Sequence, residues 1–351
     1  MFDFNGRMGK HKLAEFAQVL IELQEKTPFR ISSRGWCYAM ETHGYIDKSQ
    51  FNKVDDAIKR CRLKGLLPVN FVAADSGRDF YGIEIPSYED TWEMVHKNLD
   101  DVLTGYQYYT PDWWEGEEYY IQCVVEKVDL RTLFKDVCAE YHIPIANSAG
   151  WSSILQRAQY AKRFAEAEKR GMKCVLLYAG DFDPDGLRIS DTIYKNLEQL
   201  ADVRWADGTP GFHPNNLIIE RFGLNYEFIV RHGYTWIDNL VTGAKIKEDD
   251  RETKSNDLSD PRHVNNKLPY VREYIANYGV RKCESNALVT TPDVAANLIR
   301  STIENYLGDD ALNRFEEKTF LLQEKYEEEL ERTGVRDGIV KMKRVVLSDE
   351  E

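Results

Sequence analysis

The chain has no cysteines spaced C-x-x-C, no apolar run long enough to span a bilayer and no surplus of basic residues. Each absence closes off a class of function. A membrane-spanning helix needs about 20 mostly apolar residues, and no stretch of the 351 comes near that. The opening MFDFNGRMGKHK lacks the apolar centre of a secretory signal. The expected setting is therefore cytoplasmic, nucleoid-associated or in host cytoplasm if the gene is viral, with no membrane partner. Cys37, Cys61, Cys123, Cys138, Cys174 and Cys283 are scattered, several inside apolar runs, and read as reduced buried thiols rather than a disulfide or zinc framework. Lys and Arg number 46 against 59 Asp and Glu, a net charge of −13. That balance argues against a general nucleic-acid binder, whose phosphate contacts rest on Lys and Arg. A local basic groove is still compatible with it. Lys59, Arg60, Arg62 and Lys64 in KRCRLK are the candidates to line one, the plain alternative being a solvated helix face.

What is present suits a globular chain, 42% apolar and 12% aromatic, without internal repeats. Residues 12–26 carry Leu13, Phe16, Ala17 and Leu20 at the spacing of an amphipathic helix. Segment 28–68 suggests two more helices, with Ser32 or Ser33 as N-cap and Gly65 as a stop. A helical, winged-helix-like domain is expected over 1–85. Residues 86–118 read as a helix and connector, whose YQYYTPDWW cluster suits packing better than base stacking.

From 119 the pattern alternates. YYIQCVVE, IPIANSAG and KCVLLYAGD read as strands, each followed by a helical segment. This alternation predicts an α/β fold, a parallel sheet with helices on both faces, over 119–310 with a mixed C-terminal elaboration. Ligands in such sheets gather at the C-terminal strand ends, where Glu126 and Asp181 fall. Residues 211–284 are mixed and polar, with a surface loop expected at 247–262. Pro292 opens a further helix, and 311–351 is a charged helical tail.

The stretch YAGDFDPDG places Asp181, Asp183 and Asp185 at alternate positions. A calcium-binding EF-hand loop begins similarly but needs Glu at its twelfth position and a helix in front. Here the twelfth position is Thr192 and the lead-in is β-rich, so that reading fails. A turn whose aspartates cap the next helix is the plain alternative. Alternating carboxylates at a strand end also suit one or two Mg²⁺ ions, which take oxygen ligands. Glu126, at a neighbouring strand end, would add to the set.

An apolar strand ending in Glu126-Lys127, a glycine turn, and a second strand ending in D-x-D-P-x-G together resemble the Toprim domain. The likeness is to the topoisomerase VI A subunit and the meiotic double-strand-break transesterase, in particular to stand-alone mini-A-like homologues. The resemblance implies that Glu126, Asp181 and Asp183 bind Mg²⁺ near a scissile phosphate. Asp185 is a candidate third aspartate ligand, at a position often aromatic in the topoisomerase VI group. The turn at 147–153, NSAGWSS, departs from the family's Gly-Lys-Gly run. Residues 218–306 also resemble the tail of phage Toprim proteins, which places Glu284 near a subdomain junction without assigning it a role.

The family also carries an upstream R-x-x-[YF]-Y pattern, and Arg34-Gly-Trp-Cys-Tyr38 has its spacing, with Cys37 replacing the aromatic. Arg34 lies one helical turn before Tyr38, on the same face, where it can grip a phosphate. Tyr38 is therefore the expected nucleophile, with Tyr45 second. The expected reaction is Mg²⁺-dependent cleavage of double-stranded DNA through a 5′-phosphotyrosyl intermediate. As the resemblance implies, a homodimer makes the break, the tyrosine of one subunit working with the Toprim site of the other. A separate ATPase subunit is compatible with this reading. The alternatives are a hydrolytic Toprim nuclease without a tyrosine nucleophile and a non-catalytic DNA-binding factor.

Overall fold

The computed structural model describes residues 8–27, 30–68, 70–73, 91–147, 154–205, 207–242 and 253–348. In chain order the elements are α1 (Lys10–Glu25), α2 (Ser33–Thr42), α3 (Phe51–Leu63), α4 (Thr91–Thr104), β1 (Tyr119–Val125), α5 (Val128–Glu140), β2 (Ile145–Asn147), α6 (Ile154–Lys169) and β3 (Lys173–Ala179). They continue with α7 (Ile189–Glu198), β4 (Leu217–Arg221), α8 (Tyr226–His232), α9 (Pro269–Tyr278), α10 (Pro292–Leu307), α11 (Ala311–Arg332) and α12 (Val335–Ser348). The chain forms two compact units, Met1–Asp75 with Glu117–Tyr306, and Ser76–Gly116 with Leu307–Glu351.

In the first unit four strands form a parallel sheet in the order β2-β1-β3-β4. Residues 120–125 and 174–179 are buried without alternation, because both faces of a central parallel strand are covered. The expected α/β class is thus present. Both central strands end side by side, Val125 opposite Ala179, which brings Glu126 next to the acidic turn.

The helices α1 to α3 belong to the same unit. Leu13, Phe16, Ala17 and Leu20 are the buried face of α1, as their spacing predicts. Ser32 is the N-cap of α2, its hydroxyl accepting from Gly35 N at 3.0 Å. Among the described residues before α4 there are helices and turns but no strand, and 74–85 of the expected winged-helix domain lies outside the described residues. All six cysteines are free and buried. Among the described residues no helix is long and apolar enough to cross a membrane.

Asp129, in the first turn of α5, is the anchor between α2 and the sheet. Its carboxylate accepts from Ser32 N at 2.7 Å and Ser32 Oγ at 2.9 Å. The buried carboxylate sits so close to α2 that a Cβ on Gly35 would lie 2.5 Å from Asp129 Oδ2. Gly35→Ala should therefore lower the urea midpoint of unfolding. Overpacking costs about 1–3 kcal/mol and displaces the Ser32 hydrogen bonds, against about 1 kcal/mol gained in helix propensity.

In the second unit Trp113 is buried against Phe315 of α11, with ring centroids 4.7 Å apart. Lys318 binds the Glu115 carbonyl at 2.8 Å, and Tyr106 lies 6.3 Å from Tyr326 between ring centroids.

Candidate active site

The acidic turn begins where β3 stops. Asp181 N donates to Glu126 Oε2 at 2.7 Å and Glu126 N to the Ala179 carbonyl at 2.8 Å, lacing the two strand ends together. Only glycine fits between them, since a Cβ on Gly180 would lie 2.2 Å from Tyr178 Oη and 2.7 Å from Glu126 Oε2. Asp183 Oδ1 accepts from Gly186 N at 2.6 Å and closes the turn. From β4, the Arg221 guanidinium donates to the carbonyls of Asp181 (2.7 Å), Gly186 (3.0 Å) and Gly180 (3.1 Å). The backbone of the turn is thus tied to β4.

A distant segment completes the site. Phe182 and Cys283 form an antiparallel bridge through two backbone hydrogen bonds of 2.8 and 3.0 Å. This bridge brings Ser285 to Asp181, whose Oδ1 accepts from Ser285 N and Ser285 Oγ, each at 2.7 Å. Lys127 Nζ lies 2.8 and 2.9 Å from the two oxygens of Asp181 and 3.5 Å from Glu284 Oε2. The other oxygen of Glu284 pairs with Lys48. Tyr38 lines the same cavity as Glu284, and Lys127 Nζ stands 5.3 Å from the centre of its ring.

The electrostatics follow from burial and these pairings. Burial, then the charge of Asp181, raises the pKa of Glu126. Burial also raises that of Asp183 against the opposing Gly186 hydrogen bond, with Asp181 and Asp185 adding to the rise. For Glu284 burial acts upward but Lys127 and Lys48 override it, lowering the pKa to about 2. Burial likewise opposes the charge of Lys127, yet Asp181 and Glu284 raise its pKa overall. The Tyr38 phenol is pushed up, first by burial and then by Glu284.

Glu126, Asp181, Asp183, Asp185, Arg34 and Tyr38 all line one cavity of about 760 Å³. Six residues picked from sequence therefore meet, across a separation of 147 between Tyr38 and Asp185. Asp185 is the outlying member, exposed and accepting from Tyr270 Oη at 2.8 Å. The exposed Arg34 stacks its guanidinium 4.7 Å from the centre of the Phe51 ring. Lys59, Arg60, Arg62 and Lys64 are not among the residues that line this cavity, and Arg60 binds the Met8 carbonyl at 2.9 Å. Tyr45 is not among them either. Residues 148–153 of the expected glycine turn lie outside the described residues. Sequence reasoning gave no role to Lys127, Lys48, Glu284 or Arg221. The Glu-Lys pair at the end of β1 was the one local signal for Lys127.

No family model, curated protein or solved structure matches the chain. The chemistry of the site therefore has to be argued from its own atoms. The carboxylate donors suit a hard divalent cation such as Mg²⁺. Among the described residues no three acids converge as a finished metal shell. Asp181 is turned to Lys127, whose ammonium stands where a positive charge is wanted. Glu126 and Asp183 are disfavoured as carboxylates by burial and by the charge of Asp181, and a second cation would relieve them. The donor set fits the expected ion.

Proposed function

We propose that the chain cleaves the backbone of double-stranded DNA at this cavity, with Tyr38 as nucleophile and Mg²⁺ held by Glu126, Asp181 and Asp183. The observation that carries the reading is that Tyr38, the strand-end carboxylates and the cations Arg34, Lys48 and Lys127 open on the same cavity. Cations to hold a phosphate, acids to hold a metal and a hydroxyl to attack are what such chemistry needs. The Tyr38 oxygen bonds to phosphorus, and the bond from phosphorus to the 3′ oxygen breaks. The phenolic proton ends, net, on the departing 3′-hydroxyl, leaving a 5′-phosphotyrosyl end. Bound Mg²⁺ would supply positive charge beside the oxygens that become negative. Arg34 and Lys48 would orient the phosphate, and Lys127 would hold Asp181 and Glu284 in place. A homodimer acting on both strands goes with this reading, as in topoisomerase VI A-like Toprim proteins, and a separate ATPase subunit is compatible with it.

One observation favours hydrolysis instead. Burial and Glu284 raise the pKa of Tyr38, which disfavours the phenolate that attack requires. Denaturing electrophoresis of DNA incubated with the protein and Mg²⁺ separates the readings. Transesterification gives DNA covalently linked to protein, lost on adding EDTA and in Tyr38→Phe. Free ends that survive Tyr38→Phe but vanish in Asp181→Ala identify a hydrolytic nuclease. Unchanged DNA binding without any cleavage identifies a non-catalytic factor.

A further inference from the structure

We propose that Lys282 is a further phosphate-binding cation of this cavity, beside Arg34 and Lys48, and that Glu284 is the positioning residue that spaces its lysines. That the phosphate belongs to DNA rests on the function proposed above; the lysine cluster does not.

A short extended segment carries both residues. Lys282 and Ile237 exchange backbone hydrogen bonds of 2.8 and 2.9 Å, and Cys283 is bridged to Phe182 in the acidic turn. Residues two apart on an extended segment share a face. Lys282 and Glu284 accordingly both line the cavity, with the buried Cys283 between them in sequence.

Three lysines from separate parts of the chain meet Glu284. Its Oε1 pairs with Lys48 and stands 3.9 Å from Lys282 Nζ, and its Oε2 stands 3.5 Å from Lys127 Nζ. Both oxygens thus face ammonium groups, an arrangement that spaces cations rather than one that holds a metal. Lys127 has a second carboxylate, Asp181, at 2.8 Å, and Lys48 has Glu284 in direct contact. Lys282 is less well matched. Its Nζ donates to the neutral Val241 carbonyl at 2.6 Å, and the carboxylate at 3.9 Å is beyond hydrogen-bond reach. Yet its side chain is only 10% exposed. A buried ammonium so weakly compensated calls for an anion, and the cavity it lines is where one would meet it. A phosphodiester oxygen suits it, since charge-assisted hydrogen bonds to phosphate are among the strong ones. Glu284 holds the like charges in one place against their mutual repulsion.

Equilibrium binding of a fluorescent DNA duplex, followed by anisotropy in EDTA as KCl rises, tests both roles without requiring cleavage. Each phosphate contact adds about 0.9 to the slope of log affinity against log salt. Lys282→Met should lose about that much, and Lys282→Arg, which keeps the charge, should not. Glu284→Gln removes a negative charge from among three lysines, so it should bind DNA more tightly and with a steeper slope. In Mg²⁺ the same variant should cleave at least roughly 10-fold more slowly, because the phosphate is held but misplaced. A residue that merely supports the fold would not raise affinity while lowering rate. An unchanged slope in Lys282→Met would overturn the role of Lys282, and equal or weaker binding by Glu284→Gln that of Glu284. Cleavage by the wild type would stand in either case. A wild type with no affinity for DNA would overturn this inference together with the cleavage reading. Should Lys282→Met fail to fold, Lys282→Gln gives the same measurement.

Discussion

Replacing Glu126 by glutamine should cut Mg²⁺-dependent DNA cleavage by at least ~10²-fold, the scale on which loss of one group that stabilises transition-state charge is felt. The same change should leave the fold no less stable than the wild type. Both expectations come from one geometry. Glu126 Oε2 accepts the Asp181 backbone N–H, and the amide oxygen of glutamine can accept it equally. What disappears is a buried negative charge facing Asp181 and Asp183, whose repulsion raises the pKa of Glu126 after burial has done so. Acids gathered for a cation weaken the fold that lacks it, as functional sites often do. Thermal unfolding in EDTA checks the stability half and gel-resolved cleavage the activity half. A variant that unfolds several degrees lower would show that Glu126 is structural.

Lys127→Ala should act in the opposite sense and lose both properties. Removing one partner of a buried ion pair costs about 3–5 kcal/mol, because the other charge is left uncompensated. Lys127 faces two acids, Asp181 and Glu284, with side chains 14% and 8% exposed. Its own side chain is 22% exposed, so the low end, about 3 kcal/mol, is expected. Millimolar Mg²⁺ should return more stability to Lys127→Ala than to the wild type, since the ion replaces a missing charge in one and meets a resident one in the other. Equal gains in both proteins, read from urea curves with and without Mg²⁺, would remove the idea that the lysine and the metal share the Asp181 carboxylate.

The parts of the site that could be read from sequence are those fixed by local periodicity. An apolar run ending in an acid places that acid at a strand end, which locates Glu126 and Asp181 without any contact being known. The 3.6-residue repeat likewise puts Arg34 and Tyr38 on one face of α2. Lys48, Lys127 and Glu284 escape such reasoning because their roles lie in pairings across 236 and 157 residues. No spacing rule forecasts that one bridge, Phe182 to Cys283, carries Glu284 to the turn. The basic run on α3 shows the converse difficulty. Its composition resembles a phosphate-binding patch, but none of its basic residues lines the cavity, and Val54, Ala57, Ile58 and Cys61 take the buried face of the helix.

Arg221 has a consequence for how the site could respond to different ions. Three carbonyls of the acidic turn converge on its single guanidinium, so the loop cannot expand at one point without loosening at the others. On the proposed reading, an incoming ion would be met by side-chain rotation within this tied frame. Ions that demand short, regular bonds suit such a frame, and larger ones that gather seven or eight oxygens do not. Discrimination between magnesium and calcium would reside in a residue that touches neither.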